Sequence, residues 1–344
     1  MTSPKIAVLG TGANGAGIGA NLVQAGLDVT FIEQWPENVE ALREHGVRVE
    51  IPGFPPTATP VRAINLCEVA TLHDRFDVVF VLVKAYDTRW ACELVKPYLA
   101  PDAVVIGLQN GMTVDAMADI VGVDRTLGSV IECSAAMYRA GVVERHTPPS
   151  GSWFALGGLS PAAHEQAASV AELLGHAGTV EVVDDIRSAK WMKLVVNTAE
   201  LVPSAILDLP LLEAAELPGV REFMLRAGRE AIRTAVALGH RPVPIFGLND
   251  VDASDPDGFA DALFDAVCTR FMLPHSRTTV LQDWMKGRHS EVDEINGLVV
   301  SSQAALGGTC PANARTVELA HRIERGELTA SPDNARLLLE AAAL

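Results

Sequence analysis

Two groups of residues have the types and spacing to do chemistry. The first is Gly10-Thr11-Gly12-Ala13-Asn14-Gly15. It follows a short apolar, β-rich run at residues 6–9 and precedes Ile18, Leu22 and Val23 at near-helical spacing, so it reads as strand, tight turn and helix start. In that context Gly10 permits the turn, Gly12 lets the backbone approach a pyrophosphate, and Gly15 allows close packing of helix on strand, with Asn14 inside the same turn. Glu33 ends the next strand, where a dinucleotide-binding domain presents the group that meets the adenosine ribose. A carboxylate there accepts from both ribose hydroxyls and repels a 2′-phosphate. No Arg or Lys occurs within residues 34–38, and the nearest downstream arginine is Arg43. NAD is therefore the expected cofactor, with NADP admitted as the lesser one.

The second group lies far along the chain. Lys193 and Asn197 are four apart in a helix-like stretch containing Trp191, so they share a face and can converge on one substrate. Glu291 follows Gly287-Arg288-His289-Ser290 and is expected to begin a further helix, with Ser290 or a nearby polar residue as its cap. A lysine can bind or protonate a carbonyl oxygen, and a carboxylate can accept from a substrate hydroxyl and position the lysine. On residue types alone, solvated ion pairing accounts for Lys193 and Glu291 equally well. Other candidates carry less. His240, His275 and His289 lack zinc-ligand spacing, Ser134 and Ser290 lack a nucleophile elbow, and Cys133 has no sequence-visible activating partner. Neither a structural metal nor a covalent hydrolase is expected. Trp284 and Met285 read as core rather than as a substrate cover.

These groups need elements to hold them. Residues 6–9, 28–32, 76–83 and 104–108 are short apolar runs suited to buried parallel strands, and residues 37–45 and 114–121 show helical patterns between or after them. Residues 127–133, 141–144, 153–156 and 180–183 extend the strand pattern, residues 164–174 read as a helix, and Pro52, Pro55, Pro56 and Pro60 break regular structure. From Ile186 the chain changes character: residues 189–207, 219–239, 257–271, 276–285, 291–307 and 311–325 all favour helices. Residues 242–256, rich in Pro, Gly, Asp and Asn, read as an inter-helix loop, and residues 334–344 as a weak terminal helix. The expected fold is α/β: a Rossmann-like dinucleotide-binding domain over 1–185, then an all-helical domain over 186–344.

Composition narrows the partners. With 344 residues and 27 basic against 43 acidic side chains, the formal charge of −16 disfavours nucleic acid and anionic membrane surfaces. The six lysines are Lys5, Lys84, Lys96, Lys190, Lys193 and Lys286, so any lysine at a candidate site is informative. Cys67, Cys92, Cys133, Cys268 and Cys310 are odd in number and scattered, which fits a reducing cytoplasm and buried apolar filler better than a disulfide framework. No secretion signal is evident, and the apolar runs fall short of the roughly 20 residues a membrane-spanning helix needs. A small-molecule substrate is expected, and a homodimer follows from the prevalence of symmetric pairing.

At these positions the sequence resembles the ketopantoate reductase family, the 2-dehydropantoate 2-reductases, across nearly its full length. The resemblance is carried, in order, by the Gly10–Gly15 turn, Val83-Lys84-Ala85-Tyr86, Gln109-Asn110-Gly111-Met112, the run from Trp191 through Lys193 to Asn197, and Ser290-Glu291-Val292-Asp293-Glu294-Ile295-Asn296-Gly297. It implies reduction of a 2-keto acid by a nicotinamide cofactor in a cleft between a nucleotide domain and a helical domain. It further implies that Lys193 is the proton donor, that Asn197 and Glu291 hold polar substrate groups, that Asn110 lines the meeting point of cofactor and substrate, and that Lys84 lies on the cofactor side. Thr279 matches a substrate-carboxylate-binding serine of the family and keeps its hydroxyl.

Two positions depart from the family pattern. Leu201, in Leu201-Val202-Pro203-Ser204, stands where relatives carry the substrate-contacting asparagine of an Asn-Pro-Leu-Thr-like segment. Loss of that hydrogen-bonding group points to a larger or more apolar substrate. Glu33 stands where NADP-preferring relatives tend to present arginine. The leading expectation is an NAD-preferring oxidoreductase acting on a 2-keto acid/2-hydroxy acid pair or a related alcohol. Genuine pantoate synthesis and a noncatalytic dinucleotide sensor are the alternatives.

Overall fold

A chain that alternates short β-branched runs with amphipathic helices can bury both faces of a parallel sheet, and the first half of this one does so. The computed structural model describes residues 3–249, 252–271 and 275–340. It divides into two compact units, Met1–Ile186 and Arg187–Leu344.

In the first unit an eight-stranded sheet runs, in spatial order, Thr179–Val182, Trp153–Gly158, Thr126–Glu132, Leu99–Gly107, Phe76–Val81, Lys5–Leu9, Asp28–Glu33 and Arg62–Asn65. All neighbours pair in parallel except Trp153–Gly158 against Thr126–Glu132. The two-residue period of the strands shows in the packing. Ile6, Val8, Val78 and Phe80 are buried on one face, and Ala7, Leu9, Val79 and Val81 on the other. Residues 164–174, expected as one helix, form Pro161–Glu165 and Ala167–Leu174.

A second sheet was not anticipated. Thr57–Thr59, Val47–Glu50, Val142–Arg145 and Ala135–Arg139 form four short strands, so the proline-rich stretch is partly β-structure and residues 135–139 are a strand. This sheet is tied down by Arg145, which is 1% exposed. Its guanidinium donates to Thr147 O (2.8 Å), Asn21 Oδ1 (2.5 Å), Ser152 Oγ (2.9 Å) and Ala177 O (2.9 Å). Four neutral oxygens thus replace the water that a buried cation gives up.

The second unit is helical: Ile186–Ile206, Leu211–Glu216, Val220–Ala237, Pro256–Ala266 with a π-turn at Val267–Phe271, Thr279–Met285, Asn296–Ala305, Pro311–Glu324 and Ala335–Leu339. The end of the expected terminal helix, residues 341–344, lies outside the described residues. The helix expected from residue 291 begins at Asn296 instead. A buried amide network fixes that start: Asn296 Nδ2 donates to Thr198 O (3.0 Å) and to Asn313 Oδ1 (2.9 Å), while Asn313 Nδ2 donates to Ala227 O (3.0 Å) and Glu230 Oε2 (2.9 Å). These bonds pin Asn296–Ala305, Pro311–Glu324 and Val220–Ala237 around Ile186–Ile206. Inside that central helix Pro203 removes one backbone donor. Side-chain hydroxyls bond carbonyls of the adjoining turn: Ser204 Oγ donates to Glu200 O, and Thr278 Oγ to Leu201 O at 3.0 Å.

Two smaller expectations fail. Met285 is 49% exposed, so it is not core, and Cys67 is exposed, so it is not buried filler. Burial pushes the Cys92 and Cys268 thiols up to about 12 and Cys310 up to about 11, which leaves them without thiolate reactivity near neutral pH. No helix among the described residues is long and apolar enough to cross a membrane.

Candidate active site

Four neighbouring parallel strands, Leu99–Gly107, Phe76–Val81, Lys5–Leu9 and Asp28–Glu33, end on the same edge of the large sheet. The residues that follow or close them are Asn110, Lys84, Gly10–Gly15 and Glu33. Parallel topology therefore gathers the entire cofactor set proposed from sequence at the carboxyl ends of the strands, where open α/β sheets bind ligands. Gln109, which sequence reasoning passed over as a strand end, joins two of these turns. Its Nε2 donates to Val83 O (2.8 Å) and Thr88 Oγ1 (2.9 Å), fixing the Lys84 turn beside Asn110.

The glycine turn has the steric form that a nucleotide cradle requires. Gly10 has φ +91°, and a Cβ there lies 2.5 Å from Val83 N; a Cβ on Gly15 lies 2.1 Å from Gly10 O. Internal packing excludes side chains at both positions. At Gly12 an added Cβ meets nothing within 4 Å. Open space thus faces the Gly12 Cα, and Gly12 precedes the helix Ala13–Gln24, whose first amides have no side-chain cap. Asn14 Oδ1 is buried with no hydrogen-bond partner. This combination fits a dinucleotide pyrophosphate with an adjoining polar group.

Glu33 is more occupied than its sequence position suggested. It is 5% exposed, and its Oε2 accepts from Thr11 N (2.7 Å) and Thr11 Oγ1 (2.9 Å). Its Oε1 accepts from Gln34 N (2.8 Å) and Trp35 N (3.1 Å). A carboxylate offers about four lone-pair sites, so this one is saturated by the chain itself. Glu33 braces the glycine turn through these four bonds.

In the helical unit Lys193, Asn197 and Leu201 fall at i, i+4 and i+8 of Ile186–Ile206, one stripe along the helix. Asn197 is 1% and Leu201 5% exposed. Two partner segments are tethered to the same helix: the Thr278 bond to Leu201 O delivers Thr279, and the Asn296 bond to Thr198 O delivers the segment containing Glu291. Thr279 Oγ1 is buried with no hydrogen-bond partner, a hydroxyl suited to an incoming acceptor. Lys193, Asn197 and Leu201 thus lie along two turns of one helix with Thr279 next to the tethered Thr278, whereas Asn110 belongs to the sheet unit. Phe246, absent from the sequence-based set, also belongs here: the Lys193 ammonium lies 5.1 Å from its ring centroid. Among the described residues no group of three or more His, Cys, Asp or Glu side chains could hold a metal ion.

Glu291 lies in a turn rather than opening a helix, and Ser290 does not cap one. Ser290 Oγ (2.6 Å) and Ser290 N (2.9 Å) both donate to Glu324 Oε1, as does Trp284 Nε1 (3.0 Å), while His289 pairs with the other carboxylate oxygen at 2.8 Å. Burial alone pushes the Glu324 carboxyl up, but these donors outweigh it and hold the group below its ordinary value of 4.5. Burial, with the charges of Glu291 and Asp293, pushes Glu294 up. A carboxyl lowered by folding contributes stability above its unfolded pKa, and that stability is lost as pH falls through the folded value. The Glu324 tie should therefore weaken below about pH 4.5. Glu324→Gln should flatten the acid limb of Tm between about pH 6 and about pH 3; superimposable limbs in the two proteins would refute this role.

The family model described as ketopantoate reductase PanE/ApbA matches residues 6–156, and the model of its C-terminal part matches residues 185–324. The chain belongs to the ketopantoate reductase family. It is 28% identical over 330 residues to a 2-dehydropantoate 2-reductase of Archaeoglobus fulgidus, covering 95% of this chain and all of that one. Among solved structures, a PanE/ApbA family ketopantoate reductase from Ralstonia eutropha JMP134 is 29% identical with a TM-score of 0.78, covering 94% of this chain and 99% of that one. D-mandelate dehydrogenase, solved with NADH and anilino(oxo)acetate, superimposes with a TM-score of 0.80 at 22% identity over 94% of this chain and 99% of its own; at that identity the likeness is one of fold. This member of the ketopantoate reductase family is accordingly an oxidoreductase with a Rossmann-like α/β unit and a helical unit, and its cofactor is a nicotinamide dinucleotide.

Proposed function

We propose that this enzyme interconverts a 2-oxo acid and the corresponding 2-hydroxy acid with NAD as preferred cofactor, and that its substrate is bulkier or more apolar than ketopantoate. The observation that carries this reading is the Lys193, Asn197, Leu201 stripe with Thr279 tethered beside it. The Gly10–Gly15 turn, Glu33, Lys84 and Asn110 hold the dinucleotide, which when bound supplies or accepts the hydride. Thr279 binds the substrate carboxylate through its hydroxyl. Protonated Lys193 donates to the 2-oxo oxygen as negative charge develops on it, and accepts the proton, directly or through water, in the reverse direction. Asn197 and Glu291 orient the remaining polar groups, with Glu291 positioning the lysine.

Leu201 supports the bulkier substrate. An apolar side chain cannot pay back a desolvated hydroxyl, so hydroxylated acids such as ketopantoate lose affinity while aromatic or branched acids gain contact. The D-mandelate dehydrogenase of the same fold carries an aromatic 2-oxo acid analogue beside NADH, the substrate and cofactor class proposed here. The names of the curated relatives favour a second reading, 2-dehydropantoate 2-reductase proper. The buried, unpartnered hydroxyl of Thr279, on the substrate side, speaks against a noncatalytic sensor, which needs the dinucleotide site alone. A cytoplasmic homodimer is part of the proposal, and sedimentation tests its stoichiometry.

The deciding experiment follows cofactor absorbance with ketopantoate, phenylglyoxylate and branched 2-oxo acids, each with NADH and NADPH. The expected result is higher kcat/KM for phenylglyoxylate or a branched acid than for ketopantoate, with NADH ahead of NADPH. A clear preference for ketopantoate establishes the second reading, and no turnover across the panel overturns both.

A further inference from the structure

We propose that Phe246 is a positioning residue for the Lys193 ammonium, holding its charge against an aromatic face so that its N–H donors point to the substrate oxygen. This rests on the reading of Lys193 above.

The backbone at Phe246 is the first observation. Ile245-Phe246-Gly247-Leu248 is a tight turn closed by Leu248 N donating to Ile245 O at 3.0 Å, with φ of +59° at Phe246 and +69° at Gly247. Positive φ at both central residues is the pattern of a turn that selects Asn, Asp or Gly at the first of them. A bulky aromatic residue there is a costly choice, and such choices persist where surrounding structure over-determines them. The side chain supplies the determinants. It is 4% exposed, packs against Phe271 with ring centroids 5.2 Å apart and tilted by 50°, and presents its face to the Lys193 Nζ.

The chemistry of the pair is the second. An ammonium within about 6 Å of a ring centroid is attracted by the ring quadrupole. Unlike a carboxylate, the ring is not an N–H···O acceptor and takes up no proton, so it steadies the cation without competing for the transfer. It also excludes water from one side of the amine, which strengthens the interaction with an oxygen developing negative charge. A strained loop residue thereby acts on the reaction through the lysine while touching no reacting atom itself.

The test uses the full-length enzyme. Phe246→Leu should lower kcat about tenfold with KM for NADH unchanged, whereas Phe246→Tyr and Phe246→Trp should stay within about threefold of the parent. Increasingly fluorinated phenylalanines at position 246, which keep shape and drain the ring face of electron density, should lower kcat stepwise. Fluorination keeps the turn and the packing on Phe271, so kcat should fall with Tm unchanged; a merely structural role predicts that kcat does not follow the fluorine count. Independently of turnover, carbon-13 dimethylated lysines give an NMR reporter: the Lys193 methyl signal should be shifted by the ring in the parent and return to the envelope of the other lysines in Phe246→Leu. An unshifted Lys193 signal, or kcat insensitive to Leu or to fluorination, overturns the proposal. A Lys193→Ala control separates the two failures: if it is active, the reading of Lys193 falls; if it is inactive while Phe246→Leu matches the parent, only the role of Phe246 does.

Discussion

Lys193→Ala should lower kcat for 2-oxo acid reduction by about 10³-fold and leave NADH affinity within about twofold. The size follows from the chemistry assigned to the amine, which supplies both the proton and the positive charge that meet the developing alkoxide. The sparing of cofactor affinity follows from topology. The residues assigned to the dinucleotide belong to the sheet unit, at the ends of four parallel strands, whereas Lys193 belongs to the helical unit. Lys193→Arg should recover little, because a planar guanidinium keeps the charge but surrenders no proton near neutral pH. Steady-state kinetics with a fluorescence titration of NADH checks both halves, and turnover of Lys193→Ala comparable to the parent refutes the assignment.

Glu33→Arg should reverse cofactor preference, moving the NADH to NADPH ratio of kcat/KM by about 10²-fold, since a charge that repels the 2′-phosphate becomes one that attracts it. The structure adds a cost that the sequence did not reveal. Removing the carboxylate strands the buried Thr11 N–H along with the Gln34 and Trp35 amides, so the variant should also lose on the order of 3 kcal/mol of stability. Glu33→Gln separates these effects: it retains an acceptor for the turn while removing the charge, and should relax discrimination against NADPH with a smaller loss of Tm. An unchanged ratio in a folded Glu33→Arg enzyme would leave Glu33 with its bracing role alone.

Much of the first unit was legible because its signals are local. A β-rich run, G-x-G-x-x-G and a helical period occupy residues 5–24 without interruption, and parallel pairing then places Lys84 and Asn110 on the same edge. The small sheet was not legible. Residues 141–144 read as a strand, but the other three strands are three to five residues long with exposed positions, and the pair that joins the two halves of the sheet, Val142 with Arg48, lies 94 residues apart, so local pattern does not announce the sheet. In the helical unit the lysine stripe followed from i, i+4 spacing, but the start of the Glu291 segment did not. Residues 291–295 have a helix-compatible pattern, and tertiary bonds of Ser290 to Glu324, Asp293 to His321 and Asn296 to Thr198 flank and hold them as a turn. Phe246 was hidden for a related reason. Of the loop expected at residues 242–256, residues 242–249 and 252–255 form no regular element, residues 250–251 lie outside the described residues and Pro256 opens a helix, yet composition is silent on which way an aromatic side chain in a loop points.

The most direct test is a crystal structure of the enzyme with NADH and an unreactive 2-oxo acid analogue such as anilino(oxo)acetate. The expected complex has the dinucleotide pyrophosphate over Gly12 and the Lys193 Nζ within about 3 Å of the analogue's 2-oxo oxygen. A complex with both ligands bound in which the amine faces away from that oxygen would contradict the proposed chemistry.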